Sequence, residues 1–575
     1  MFRKLAPYIK KYKTYAILSP IMMILEVASD IVIPVLMAKI VDVGIAGADG
    51  QYVIRMGLIM IALALFGGVM GTWSSHIGAM AGFGTAAEIR KAAYASIQQY
   101  SFANIDKLSA PSLITRLTTD AEQVGQVTMM SLRMAIRAPF LMIFALIMAL
   151  YINGRLALIF FGAIPALALA LVVILRKAMP LFQLMQEKID RVNAVVQEQL
   201  AGIRVIKSFN RQKESEDAFM ERNQDLRDTA IRAINLIVAF MPVMFLVVYI
   251  CIIFVLWFGG KMVMAGTMGS GDLIAFITYI SQIMMALMML SMYFMMYTRA
   301  SASTNRLIEV IHTKSEIQEP DNPVQEVRDG SIVFENVSFK YPGYRENILK
   351  NIHLTLQAGE VIGIIGSTGS SKSTLVQMIP RLYDVDEGSV KVGGVDVRNY
   401  SLVALREAIG FVLQNNTLVS GTIRSNMQWG DEQVTDEKII EALRQAQAWE
   451  FVSQYEDGLD HRVEQGGNNF SGGQKQRLTI ARALIKQPKI LILDDSTSAV
   501  DMTTDAKLRQ TFRAELKGVT TIIIAQRVAS IRDADQIIVM EEGRVDAKGT
   551  HGELLEKSEV YREIFDSQQK GLAVS

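Results

Sequence analysis

Six apolar runs of spanning length crowd the first 300 positions, and they dictate the fold of that half. They fall at about Tyr15–Val41, Arg55–Met80, Ser131–Ile152, Leu156–Leu175, Ile234–Phe258 and Leu273–Met296. Each is near or above the roughly 20 residues that a helix needs to cross a bilayer. Only helices that satisfy their own backbone, or closed barrels, survive in hydrocarbon. Runs of this length predict an all-α polytopic membrane domain of six transmembrane helices over residues 1–313.

Lysine and arginine set the orientation. The N-terminal arm carries Arg3, Lys4, Lys10, Lys11 and Lys13. The second-to-third connection carries Arg90, Lys91, Lys107 and Arg116, and the fourth-to-fifth carries Arg176, Lys177, Lys188, Arg191, Arg204 and Lys207. The connections Asp42–Gln51, Asn153–Arg155 and Gly259–Gly271 hold none, one and one. Both termini are therefore expected in the cytoplasm. Ala81–Ser101 and Met179–Asp228 are too polar for lipid yet rich in helix formers, so they read as long cytoplasmic extensions. Their turning regions are expected near Pro111–Thr119 and Gln212–Arg222, in contact with whatever lies below.

Two features inside the spans bear on a transported ligand. Glu26 and Asp30 lie one turn apart in the first span. Intramembrane carboxylates face protein or water, so they read either as attraction of cationic substrates or proton handling, or as a helix–helix contact. Met284, Met288, Met292 and Met296 repeat every fourth residue in the last span, with Met285, Met289 and Met295 beside them. A thioether stripe suits varied apolar ligands and equally suits plain packing.

Composition agrees with a membrane protein: 51% of residues are hydrophobic, and the formal charge of +1 gives no case for a nucleic-acid partner. The single cysteine, Cys251, excludes a disulfide framework or a cysteine metal site. The basic N-terminus is followed by a long apolar run without a convincing cleavage site, so no cleavable signal peptide is expected.

Lys314–Gly330, with Pro320 and Pro323 and no apolar period, reads as a linker. The pattern then changes. Ser331–Phe339, Val361–Ile365, Ile409–Leu413, Ile490–Leu493 and Thr521–Ile524 are short apolar strand candidates alternating with helical stretches, which predicts an α/β domain over residues 331–575. After the second of these strands comes Gly366-Ser367-Thr368-Gly369-Ser370-Ser371-Lys372-Ser373-Thr374, then a helical start at Leu375. Strand, glycine loop, Lys-Ser and helix form a P-loop: loop N–H groups and the helix N-terminus cradle phosphate oxygens, Lys372 reaches the β- and γ-phosphates, and the Ser373 hydroxyl ligates Mg²⁺. Ser371 stands where the usual pattern has glycine.

Further motifs follow in a fixed order. Phe339-Lys340-Tyr341-Pro342 precedes the loop, with Tyr341 available to stack on an adenine ring. Gln414 ends a strand; Phe470-Ser471-Gly472-Gly473-Gln474 opens a helix; Leu491-Ile492-Leu493-Asp494-Asp495 ends a strand and is followed by Ser498-Ala499-Val500-Asp501; and Ala525-Gln526-Arg527 ends the last major strand. Over its whole length the chain resembles the ATP-binding cassette (ABC) transporters, specifically half-transporter exporters with six helices and one nucleotide-binding domain. The resemblance implies roles. Asp494 would hold Mg²⁺ through water, and Gln414 would join that cation set, sense the γ-phosphate and touch the membrane domain's cytoplasmic loops. Ser471, Gly472, Gly473 and Gln474 would bind the γ-phosphate of ATP held by a second, homologous subunit, and Asp501 would link the two sites.

Two positions depart from the hydrolytic members of that family. Where they carry a glutamate base, this chain has Asp495; where they carry histidine, it has Gln526. Together with Ser371 these changes fall in the half-site around the chain's own P-loop, while the Phe470–Gln474 signature is intact. The expectation is a heterodimeric multidrug exporter of a bacterial cytoplasmic membrane. This subunit would hold a degenerate ATP site and complete the partner's hydrolytic one, and the cargo would be amphipathic and drug-like. A homodimeric exporter of lipid or peptide, and a regulatory ATP-binding subunit without transport, are the rival readings.

Overall fold

The computed structural model describes residues 1–495 and 501–574. Its contacts divide the chain into two units, Met1–Gln98 with Pro111–Thr313, and Gln99–Ala110 with Lys314 onward.

The first unit is helical. Its main elements are Lys13–Lys39, Gly50–Gln98, Ala121–Ile152, Gly154–Ala201, Gln212–Met264 and Ser270–His312. Among the described residues, five helical stretches are long and apolar enough to span a membrane: Phe2–Ile45, Gly50–Gln98, Ala110–Ile152, Gln212–Met264 and Ser270–His312. That is one fewer than the sequence count. The expected fourth span lies at the start of Gly154–Ala201, of which the described apolar stretch is the shorter Gly154–Ala170. At 1.5 Å per residue the 49-residue helix Gly50–Gln98 is roughly 70 Å long, more than twice a bilayer core.

Small residues let these helices approach closely. Ala138, Ala145, Ala149 and Ala157 pack with Leu141, Phe160 and Phe276 in one buried cluster. A Cβ on Gly82 would lie 2.6 Å from the Gly125 carbonyl, so that crossing requires glycine. Ile54, Leu58, Ile61 and Leu65 are exposed on the Gly50–Gln98 helix, an apolar outer face. Glu26 and Asp30 do not stand alone: Arg137, from the Ala121–Ile152 helix, pairs with Glu26 and reaches Asp30 at 2.9 Å. The two carboxylates therefore make a helix–helix contact. The methionine stripe divides, with Met284 buried in the same cluster and Met285, Met292 and Met295 exposed.

The second unit is α/β. Its strands are β1 (Ile332–Phe339), β2 (Leu349–Leu356), β3 (Val361–Gly366), β4 (Glu387–Val392), β5 (Val395–Asp396), β6 (Ile409–Val412), β7 (Gly421–Thr422), β8 (Arg462–Val463), β9 (Ile490–Asp494), β10 (Thr520–Ile524), β11 (Gln536–Glu541) and β12 (Arg544–Gly549). Six form one sheet in the order β12-β11-β3-β10-β9-β6, parallel except for the β11–β12 edge. A smaller antiparallel sheet runs β2-β1-β4-β5. Every residue of β9 and β10 is buried, as in a parallel sheet covered on both faces. Thr521–Ile524 is not the last major strand, because β11 and β12 follow it.

The turn between the second and third long helices also differs from expectation. Pro111–Thr119 belongs to the membrane unit, at the start of a helix where proline costs nothing. The preceding segment, Gln99–Ala110, is the part that packs with the α/β unit.

Candidate nucleotide site

Parallel pairing places the ends of β3, β6, β9 and β10 on one edge of the sheet. Ile524 lies level with Ile364 and with Asp494. That edge is where open α/β sheets bind ligands.

The loop after β3 is tightly made. Gly366 passes so close to β11 that a Cβ would sit 2.0 Å from the Met540 carbonyl. Gly369 and Ser371 both take the left-handed backbone conformation, with φ of 87° and 72°. Serine at 371 thus occupies a conformation that suits glycine, at a cost of roughly 1–2 kcal/mol. Ser371→Gly is expected to stabilise the chain by about 1 kcal/mol. The check is the thermal unfolding midpoint, which should rise; a fall would show that the serine side chain makes a compensating contact.

Ser367, Thr368 and Gly369 are exposed at the tip, while Ser370 and Thr374 are buried. The Lys372 ammonium donates to the Gly366 and Ser367 carbonyls, both at 2.9 Å, and to the Ser370 hydroxyl at 3.2 Å. Burial lowers its pKa, opposed by the Asp495 and Asp494 carboxylates. The Ser373 hydroxyl donates to Asp494 Oδ1 at 2.8 Å. Burial raises the Asp494 carboxyl above the usual range, against the Ser373 bond, and neighbouring Asp495 adds to the rise. Two hard oxygen donors held together suit a small divalent cation beside phosphates.

Asp495 and Gln526, the two departures, meet each other. Gln526 Nε2 donates to Asp495 Oδ2 at 2.7 Å. Gln414 also hydrogen-bonds the Asp495 carboxylate, so of the expected cation set only Ser373 and Asp494 touch. Burial pushes the Asp495 carboxyl up, opposed by the Gln526 bond and by Lys372 and Arg527. Its backbone is left-handed as well, with φ of 48°.

Tyr341 is tied to the loop from the other side. Its hydroxyl lies 3.1 Å from Thr374 Oγ1 and donates to Gln377 Oε1 at 3.3 Å. Its ring meets Phe339 and Tyr383 edge-on, with centroids 5.0 and 5.2 Å apart. Sequence reasoning missed Tyr383. The Tyr383 hydroxyl donates to Asp106 Oδ2 at 2.6 Å, and its ring meets Phe102. Both partners lie on the short helix Phe102–Leu108, whose Ala103 is buried in the same apolar cluster as Phe339 and Tyr383. Asn104 fastens the segment to the linker, donating to the Lys314 carbonyl and accepting from the Glu316 N–H. A local signal existed: Ser101 and Asn104 form a capping box at the start of that helix.

Ser471 caps the helix Gly472–Ile485. Its hydroxyl accepts from the Gln474 N–H and its own N–H donates to Gln474 Oε1 at 2.9 Å. Ser471 and Gly472 are exposed, leaving the helix start accessible, and Gly472 lines an open cleft with Gln414 and Asp495. Asp501 caps the helix Met502–Glu515, accepting from the Thr504 N–H and hydroxyl at 2.9 and 2.7 Å. Those bonds lower its pKa. Ser498, Ala499 and Val500, the rest of that motif, lie outside the described residues.

Known proteins match both units. The family model described as ABC transporter transmembrane region matches residues 16–287, and the one described as ABC transporter matches residues 349–498. An ABC transporter ATP-binding protein of Bacillus subtilis (strain 168), YfiB, is 38% identical over 98% of each chain. Another, Rv1273c of Mycobacterium tuberculosis (strain H37Rv), is 36% identical over 99% of this chain and 98% of its own. The solved structure of a bacterial Atm1-family ABC exporter with ATP bound superposes with a TM-score of 0.80, at 24% identity, over 97% of this chain and 98% of its own. With relatives this similar along their full lengths, a membrane-spanning region and an ATP-binding domain on one polypeptide, the chain belongs to the ABC transporter family.

Proposed function

We propose that this chain is one half of a heterodimeric ABC exporter in a bacterial cytoplasmic membrane, with both termini and the ATPase domain in the cytoplasm. Residues 1–313 form a membrane domain of six spans, the fourth contributed by Gly154–Ala201. Residues 314–330 link it to the nucleotide-binding domain, 331–575. Tyr341 stacks on adenine, and Gly366–Thr374 cradles the phosphates. Ser373 and Asp494, with Gln414, would hold Mg²⁺, which would supply charge neutralisation to the bound phosphates. Ser471–Gln474 completes the partner's ATP site, and Asp501 joins the two. Closing of the two ATPase domains around ATP drives the membrane helices outward through segments such as Phe102–Leu108. The cargo is amphipathic.

The observation that carries the asymmetric reading is the hydrogen bond between Asp495 and Gln526. A hydrolytic site needs a carboxylate aimed at water. Here a shortened carboxylate is engaged by a neutral amide. The signature helix start, by contrast, keeps its capping box and its exposure.

The test is ATPase activity of the chain alone and with a homologous half-transporter from the same source. Low activity alone, high activity in the pair, and loss of at least tenfold on Ser471→Arg support the proposal. Equal turnover by the lone chain and the pair would instead make it a homodimer with Asp495 as its base.

A further inference from the structure

The helix Glu559–Val574 reaches back to the nucleotide site through one side chain. Gln568 Nε2 donates to the Gln526 carbonyl at 2.7 Å, and Gln568 Oε1 accepts from the Val528 N–H at 2.9 Å. Both ends of one amide are thus used on backbone groups that flank Arg527. Val528 opens the short turn Val528–Ser530, which has no side-chain cap of its own, so its first N–H needs an outside acceptor. The helix is seated independently of this contact. Tyr561 is fully buried and takes part in a 2.8 Å hydrogen bond with His551, while Ile564 and Phe565 pack against the core.

We infer that Gln568 is a positioning residue for the nucleotide site: its amide fixes the loop that presents Gln526 to Asp495. The chain of contacts is continuous, from the Gln568 amide to the 526–528 backbone, and from the Gln526 amide to the Asp495 carboxylate at 2.7 Å. Residue 526 is exposed and lies just past a buried strand, and the Gln568 amide holds its carbonyl from the side of this helix. The C-terminal helix therefore acts on how firmly the site holds nucleotide without touching the nucleotide. This rests on the reading of that edge of the sheet as an ATP site, and not on heterodimer formation.

The experiment uses the full chain in lipid nanodiscs with three variants. Gln568→Met keeps the length of the side chain and removes both hydrogen bonds. Gln568→Glu keeps the acceptor for Val528 and sets a charge against the Gln526 carbonyl. Gln569→Leu is the control. Amide hydrogen exchange is measured without nucleotide, and dissociation of a fluorescent ATP analogue is measured on the chain alone. Gln568→Met is expected to speed exchange at Val528 by about tenfold, with residues 559–566 unchanged, and to speed dissociation by about threefold. Gln568→Glu is expected to keep Val528 protected and still speed dissociation, a split that general loosening of the helix would not produce. Unchanged exchange at Val528 in Gln568→Met overturns the clamp. Faster exchange with unaltered dissociation overturns its positioning role. Failure of the unsubstituted chain to bind the analogue overturns the ATP-site reading, and the positioning role with it.

Discussion

Replacing Asp495 by Glu and Gln526 by His together is expected to raise ATP turnover by the chain alone on the order of a hundredfold. Asp495 follows β9 directly, and its carboxylate is held by Gln526 and Gln414 near the sheet edge. One added methylene advances the carboxylate by about an ångström, the scale of misplacement that costs about that factor in a positioned reaction. Histidine at 526 offers a ring N–H donor that gains positive charge on protonation, where the glutamine amide stays neutral. Each single change is expected to recover much less. Asp495→Glu alone leaves Gln526 to engage the longer side chain, and Gln526→His alone leaves the base short. Steady-state phosphate release decides it, with Lys372→Ala in the double variant as the control that abolishes the gain. No gain, with ATP binding intact, would mean that something other than these two side chains limits hydrolysis.

The sequence made the machinery of the sheet edge legible because that machinery is local. Gly366–Thr374, Asp494 and Gln526 each sit at or just past the end of a continuous apolar strand; β9 and β10 are buried through their length and β3 everywhere but at its two ends. The edge strand β12 was not legible: in Arg544–Gly549, exposed and half-exposed residues alternate, with no apolar run to mark it. Contacts between distant residues were equally hidden. Arg137 lies 107 residues from Asp30 and Gln568 lies 42 residues from Gln526, so neither partner could be read from spacing. Six spans were counted from hydropathy; among the described residues the fourth is represented by the apolar stretch Gly154–Ala170, at the start of a helix that continues to Ala201.

Asp106→Ala is expected to separate ATP binding from movement of the membrane helices. The segment Gln99–Ala110 joins the helix Gly50–Gln98 to the one that continues to Ile152, yet its own contacts lie in the α/β unit. The Tyr383 hydroxyl, whose pKa is raised by burial and by Asp106, donates to that carboxylate at 2.6 Å. A hydrogen bond to a charged group is worth about 1.5–3 kcal/mol, enough to weaken docking of the segment by tenfold or more. Tyr383 also holds the ring of Tyr341, which is bonded to Thr374 of the P-loop helix, so the segment and the phosphate loop share one aromatic cluster. Tyr383→Phe keeps that cluster and removes only the bond to Asp106, so it should reproduce Asp106→Ala. The measurement is the ATP-induced distance change between spin labels on the helices Gly50–Gln98 and Gln212–Met264, alongside ATP affinity. At least half the distance change should be lost in both variants while affinity stays within about twofold. A full-amplitude response in Tyr383→Phe would remove the hydrogen bond from the coupling route. Equal losses of response and affinity would mean that the cluster builds the ATP site without transmitting its state.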